Sequence, residues 1–306
     1  MRKYKIKSEL SEKQVESDVA SYFGWMAKDG NLPFRLLDVN EQQTGADKKF
    51  QWCIPLYFQF KVSHGLISID EAPISKLKNF FDNNPLNRIR IFRRKNDLSD
   101  NPTLYFKLRE IARNADDFQH NILMRLSNTG FSHAFYVAPL VLGIKEYEKM
   151  LFQPSFRYLD SPFIERQVSI FQEGWVSEFS RIPFLRSHIS IVPHESVNTA
   201  DHHYSFSSSG TEIGWHSPQI LNNKAYRLSD TFQQVIKEGK GIHISEIKNA
   251  IISLCDICKI EYKDDEDYFY NLGRISEKLN SDYSIKQFLL VFDEKIHGLW
   301  GSRYFI

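Results

Sequence analysis

An α/β fold is the class this sequence predicts, on three observations: a capped amphipathic helix near its start, an alternating strand at residues 56–63, and interleaved helix-spaced and strand-spaced segments through its first half. The helix comes first. Ser11 followed three residues on by Gln14 makes a capping box, and Leu10 is placed to staple against Val15. Val15, Val19, Tyr22, Phe23 and Met26 then recur at helical spacing up to a stop at Gly30, which predicts a helix over residues 12–28.

Three short strands are expected next, at 35–39, 48–54 and 56–63. In the third, Leu56, Phe58, Phe60 and Val62 point one way while Tyr57, Gln59, Lys61 and Ser63 point the other, giving one face for a core and one for chemistry or water. Residues 73–84 read as a helix closed by Asn84-Pro85, and residues 88–94 alternate around Ile89 and Ile91 like a strand. A helix at 115–128 carries Phe118, Ile122, Leu123 and Leu126 on one side, and Gly130 ends it before an apolar strand at 133–141 and a helix at 144–152. Beyond Gln153, Pro, Ser and aromatic residues mix through to about Pro218, and helical patterns return at 229–238, 244–255, 268–279 and 285–292. The chain therefore divides at a soft boundary into residues 1–153 and a mainly helical or mixed domain, 154–306.

With 306 residues there is enough chain for one large domain or two ordinary ones. Hydrophobic residues at 42% and charged residues at 25% argue against disorder and fibrous repeats. The 39 basic and 38 acidic side chains leave a net charge of +1, so any nucleic-acid surface has to be a local patch. Cys53, Cys255 and Cys258 are too few for a disulfide framework and point to a reducing compartment; the last two form a CxxC that reads as a pair of structural cysteines. The start, MRKYKIKSEL, lacks the apolar run of a signal peptide, and the longest mainly apolar run, 134–144, is far short of the ~20 residues that span a bilayer. The expectation is a cytoplasmic protein with no membrane partner. Neither a GxxxxGK[ST] loop nor a GxGxxG fingerprint is present, which argues against an NTPase or a dinucleotide enzyme.

The residues that carry chemistry sit in the first half. Thr44-Gly45-Ala46-Asp47 enters the second expected strand, and Gln59-Phe60-Lys61 lies on the third. Gln59 and Lys61 are two apart on a strand and so project toward the same side. In this order of elements and motifs the chain resembles the PD-(D/E)XK, restriction-endonuclease-like superfamily. It is most similar to the Mrr-like variant, in which glutamine replaces the second carboxylate to give Gln-x-Lys. The resemblance covers residues 10–140 and implies an αβββαβ core and Mg²⁺-dependent cleavage of nucleic-acid phosphodiesters, with DNA as the expected substrate and Mn²⁺ as a substitute metal.

It further implies that Asp47 supplies the main metal carboxylate and Gln59 a neutral amide ligand, that Lys61 orients water or stabilises phosphorane charge, and that Glu16 or Glu41 completes the set. Proteins of this kind are often bacterial restriction or anti-phage effectors, which leaves a partner subunit or a homo-oligomer open. Arg88, Arg90, Arg93, Arg94 and Lys95 read either as a phosphate-tracking patch or as a solvated strand edge. His188, His194, His202, His203 and His216, with Glu195 and Asp201, form a further cluster without a metalloprotease spacing. The rival to an enzyme is a non-catalytic nucleic-acid- or protein-binding module on a degenerate nuclease fold, which the glutamine at position 59 keeps open.

Overall fold

A computed structural model describes residues 4–26, 34–38, 52–74, 84–98, 100–151, 183–216, 219–221, 226–238 and 240–292. The elements run β1 (Lys5–Ile6), α1 (Glu12–Met26), β2 (Phe34–Asp38), β3 (Trp52–Phe60), β4 (His64–Leu66), α2 (Pro85–Lys95), β5 (Thr103–Lys107), α3 (Gln119–Ser127), β6 (His133–Pro139) and α4 (Ile144–Leu151). They continue with α5 (Pro183–Arg186), β7 (His188–Ile191), β8 (His203–Phe206), β9 (Gly214–His216), β10 (Gln219–Ile220), β11 (Tyr226–Arg227) and α6 (Leu228–Glu238). The last are β12 (Ile242–His243), a 3₁₀ turn (Ile244–Glu246), α7 (Ile247–Cys258), α8 (Tyr268–Tyr283) and β13 (Lys286–Phe292).

Two sheets result. One is antiparallel, in the order β1-β4-β5-β8-β9-β10; the other is mixed, in the order β11-β7-β6-β3-β13-β2, with β12 added to the start of β3. Only β3 and β6 pair in parallel among the described strands. The mixed α/β class is as expected, but the sheets run across the expected boundary at residue 153. β7 pairs with β6, β8 with β5, and β13 lies between β3 and β2.

The first helix forms as its sequence signals. The Ser11 hydroxyl accepts from the Gln14 amide at 3.1 Å, and Leu10 and Val15 are buried in the same cluster. The Gln14 side chain turns instead to Asp18, so only half of the capping box is made.

Several expected elements change. The strands at 48–54 and 56–63 become, from residue 52 on, the single strand β3, with Pro55 opposite Leu289 of β13. On its other edge Pro55 falls between the β12 partner of Cys53 and the first β6 partner, at Leu56, where no ladder is interrupted. The strand at 88–94 is the helix α2. Asn84-Pro85 opens this helix: the Asn84 side chain accepts from the Leu86 amide at 3.0 Å and Pro85 occupies the first turn. Most of the helix expected at 73–84 lies outside the described residues. Of the helix expected at 285–292, Lys286–Phe292 form a strand, because Phe288 and Leu290 pack on one face of the mixed sheet and Leu289 on the other.

The mixed sheet is covered on both sides. Ile54, Leu56, Phe58 and Phe60 pack with Val15 and Val19 of α1, Tyr147 of α4 and Phe232 of α6. Cys53 and Tyr57 pack on the other side with Leu123 of α3, Leu254 of α7 and Ile275 of α8. The alternation along β3 is as the sequence predicts, yet both of its faces are core, so a water-facing chemical face is not what the strand body provides. The three thiols are all buried, and they surround the Tyr57 phenol, which burial first and these thiols second hold protonated. Burial pushes the Cys53 and Cys258 thiols up to about 12, which makes both inert structural groups at neutral pH.

Candidate functional site

The candidate site lies where β3 ends. One residue past the strand, the Lys61 amide still donates to the Val137 carbonyl of β6 at 2.8 Å, so the backbone is held as rigidly as the sheet. The Lys61 side chain is only 6% exposed, and its ammonium meets the Glu12 carboxylate at 3.8 Å. Glu12 stands in the first turn of α1, where the helix dipole favours a carboxylate, and α1 is anchored over the sheet by Val15 and Val19. Burial lowers the Lys61 pKa; Glu12 opposes that shift and Arg109 reinforces it. Glu16, one turn along the same helix, pairs at 3.1 Å with Lys286, the first residue of β13. Two acid–base pairs thus line the junction of α1 with β3 and β13.

Gln59 is placed differently. It is buried, its amide donates to the Phe60 carbonyl at 2.9 Å, and its carbonyl oxygen accepts from Gln119 at the start of α3. Gln119 also donates to the Tyr283 carbonyl at the end of α8. Gln59 therefore acts as a tie between β3, α3 and α8, its amide oxygen and nitrogen each holding a hydrogen bond. Gln287 of β13, opposite Tyr57 and buried, has neither side-chain atom hydrogen-bonded among the described residues. Asp47 and Glu41 lie outside the described residues. Among the described residues no group of three or more His, Cys, Asp or Glu side chains gathers into a metal-binding cluster.

A cavity of about 470 Å³ opens beside Lys61 and Glu12, bounded by Lys5, His64, Tyr105 and the first turn of α2. A second, of about 440 Å³, continues along α2 between Arg88, Phe92 and Lys95 on one side and His202, His203 and His216 on the other. Compared with family models, with curated proteins and with solved structures, the chain has no match.

The five basic residues expected to act together are divided by the helix. Arg90 is buried, donates to the Ile67 carbonyl at 2.7 Å and the Ser68 carbonyl at 3.0 Å, and stacks over Tyr4. Arg93, 2% exposed, donates to the Glu212 carbonyl at 2.9 Å and faces the Glu212 carboxylate at 3.5 Å. Both are structural and unavailable to phosphate. Arg94 is exposed and pairs with Asp70 at 3.0 Å. Arg88 and Lys95 are left on the cavity wall.

The histidines divide too. His188 is buried between Tyr147 and Phe184 of the mixed sheet's helical layer, and its Nδ1 bonds the Phe184 carbonyl at 2.9 Å. His203 and His216 are paired neighbours on β8 and β9, and His216 bonds the Ser205 hydroxyl at 2.8 Å. Burial lowers His203 to about 4 and His216 to about 3, so both rings are neutral at physiological pH. Glu12, Lys286, Arg109 and the glutamine partners Gln119 and Gln287 escaped sequence reasoning. Glu12 carried one usable signal, an acidic residue directly after the Ser11 cap.

Proposed function

We propose that the chain is a nuclease that cleaves nucleic-acid phosphodiesters, with Lys61 supplying the charge that stabilises the phosphorane. One observation carries this reading: a lysine is buried at the rigid end of a central strand and opens on a cation-lined cavity, where its ammonium lowers stability and is best explained by use. Glu12 holds the ammonium in place from the rim. Divalent-metal dependence belongs to the same reading through Asp47, which would supply the carboxylate that polarises phosphate; the described residues add Glu12 and Glu16 as the nearest acids to the two lysines. DNA as substrate, and a role in restriction or phage defence, rest on the resemblance alone.

The engagement of Gln59 inside the core favours the second reading, a binding module that has kept the fold and lost the metal centre. Nicking of a supercoiled plasmid and cutting of end-labelled single strands, each with Mg²⁺, Mn²⁺ or chelator, separates the two. Metal-dependent cutting by wild type that Lys61→Ala abolishes is the expected result. Binding of nucleic acid by both proteins with no cutting by either would replace the enzyme with the binding module.

A further inference from the structure

The two cavities share Pro85, Asp201 and His203 and so form one cleft, running from Lys61 along the face of the antiparallel sheet and beneath α2. Its floor is a row of rings on four adjacent strands, those of Tyr105 and His203 buried and those of His64 and His216 half-buried. His64 of β4 lies 5.8 Å from Tyr105 of β5, Tyr105 lies 6.1 Å from His203 of β8, and His203 is paired with His216 of β9. Phe92 of α2 closes the row edge-on at 5.2 Å from His216.

The charges are arranged differently from the rings. Of the five cationic side chains that line the cleft, Lys61 is paired with Glu12, and Lys107 with Asp201 at 3.3 Å and Glu110 at 3.2 Å. Lys5, Arg88 and Lys95 have no acidic partner among the described residues and stand along its sides. The cleft thus carries three cations free of an acidic partner among the described residues, on a chain whose net charge is only +1. The burial-depressed pKa values of His64, His203 and His216 keep the floor neutral, so attraction to an anion comes from the sides and not from the base.

We infer that this cleft is the track of a single-stranded nucleic acid, with bases seated against the rings, phosphates held by Lys5, Arg88 and Lys95, and the strand led to Lys61. The inference rests on the nuclease reading for what happens at Lys61, but not for binding. Neutral rings on the floor with unpaired cations along the sides suit a strand, because any base offers a flat face and each phosphate one charge. Each cavity has the capacity of about one nucleotide, whereas a duplex, with its bases stacked inside, presents no free base to a floor of this kind.

The test is fluorescence anisotropy with a labelled 12-nucleotide single strand of mixed sequence, its hairpin duplex counterpart and a free mononucleotide as competitor, in chelator so that nothing is cut. The proteins are wild type, the double variant Arg88→Ala/Lys95→Ala, Arg94→Ala and Lys61→Ala, each checked for an unchanged melting temperature. We expect wild type to prefer the single strand. The double variant should bind about tenfold or more weakly, with the slope of log affinity against log salt reduced by about 1.4, the loss of two phosphate contacts to a single strand. Arg94→Ala should bind as wild type does, because Arg94 is on the same helix but outside the cleft. Equal or tighter binding of the duplex, a mononucleotide that competes as well as the strand, or the same loss in Arg94→Ala as in the double variant would each overturn the track. Cutting with Mg²⁺ distinguishes the two failures. If wild type cuts while the double variant binds normally, the track falls and the nuclease stands; if the strand binds as expected but is never cut, the nuclease falls and the track stands.

Discussion

Gln59 and Lys61 stand two residues apart on one strand and meet opposite surroundings. Gln59 is tied to Gln119 under α3 and α8, in a region closed by Leu123, Leu254 and Ile275; Lys61 opens on the cleft under α2 with Glu12 at its rim. The strand period sends both side chains to the same side, but the cover over the sheet ends between them. The difference separates two reasons for a buried polar group. One satisfies hydrogen bonds that the packing itself creates, and the other retains a charge that the packing resists.

Acid should produce the largest effect, because buried histidines lie in both regions. Burial lowers His120, His188 and His203 to about 4 and His216 to about 3, whereas the unfolded chain titrates near 6.5. The depressed values make the unfolded state the better proton binder, so the stability they confer is full above pH 6.5 and is lost as pH falls toward 4. Between pH 6.5 and 5 the loss should be on the order of several kcal/mol, read from urea midpoints at each pH. About half that slope would mean that His203 and His216, on the cleft floor, titrate as solvated groups and that the cleft is wetter than its geometry implies.

Packing comes next. Phe58, fully buried with ring neighbours Phe60, Phe135, Phe232 and Phe288, should cost about 3–5 kcal/mol when cut back to alanine. A urea midpoint within error of wild type would show that the α1–α6 side of the sheet is not closed. Lys61→Met should divide function from stability. The cutting rate in single turnover should fall by about 100-fold or more, while the melting temperature stays level or rises, since a desolvated ammonium is replaced by an apolar chain of similar length. A drop in melting temperature of several degrees would make Lys61 a structural residue like its neighbour.

The smallest expected effect has the opposite sign. Gln119→Ala strands the Gln59 carbonyl and the Tyr283 carbonyl in the interior and should cost about 1–3 kcal/mol with cutting retained. Gln59→Ala that lost cutting as completely as Lys61→Met, at unchanged stability, would return Gln59 to the reacting centre.

How much of this was legible depended on how local the cause was. Short-range signals were read from the sequence correctly: the Ser11 cap, the alternation of Leu56, Phe58 and Phe60, the spacing of Ile122, Leu123 and Leu126, and the stop at Gly130, whose φ of +82° suits glycine. The candidate lysine was legible for the same reason, as part of a motif on one strand. Signals with two local meanings were read only one way. Asn84-Pro85 can end one helix and start another, and its role as a start was missed, while the Ile89/Ile91 alternation hid a helix whose apolar side is completed by the stems of Arg90 and Arg93.

By itself, then, the sequence determined the α/β class, the first helix and its cap, the two-sided register of β3 and the identity of the lysine at its end, since each depends on side chains a few residues apart. Only the tertiary structure decided that β13 inserts between β3 and β2, that Arg90 and Arg93 are interior while Arg88 and Lys95 face a cleft, and that Gln59 belongs to the core. Those outcomes depend on partners such as Gln119, Glu212 and Lys286, more than 50 residues distant in the chain. Such contacts form only when hydrophobic burial has brought the sheets and helices together, and no local propensity encodes them.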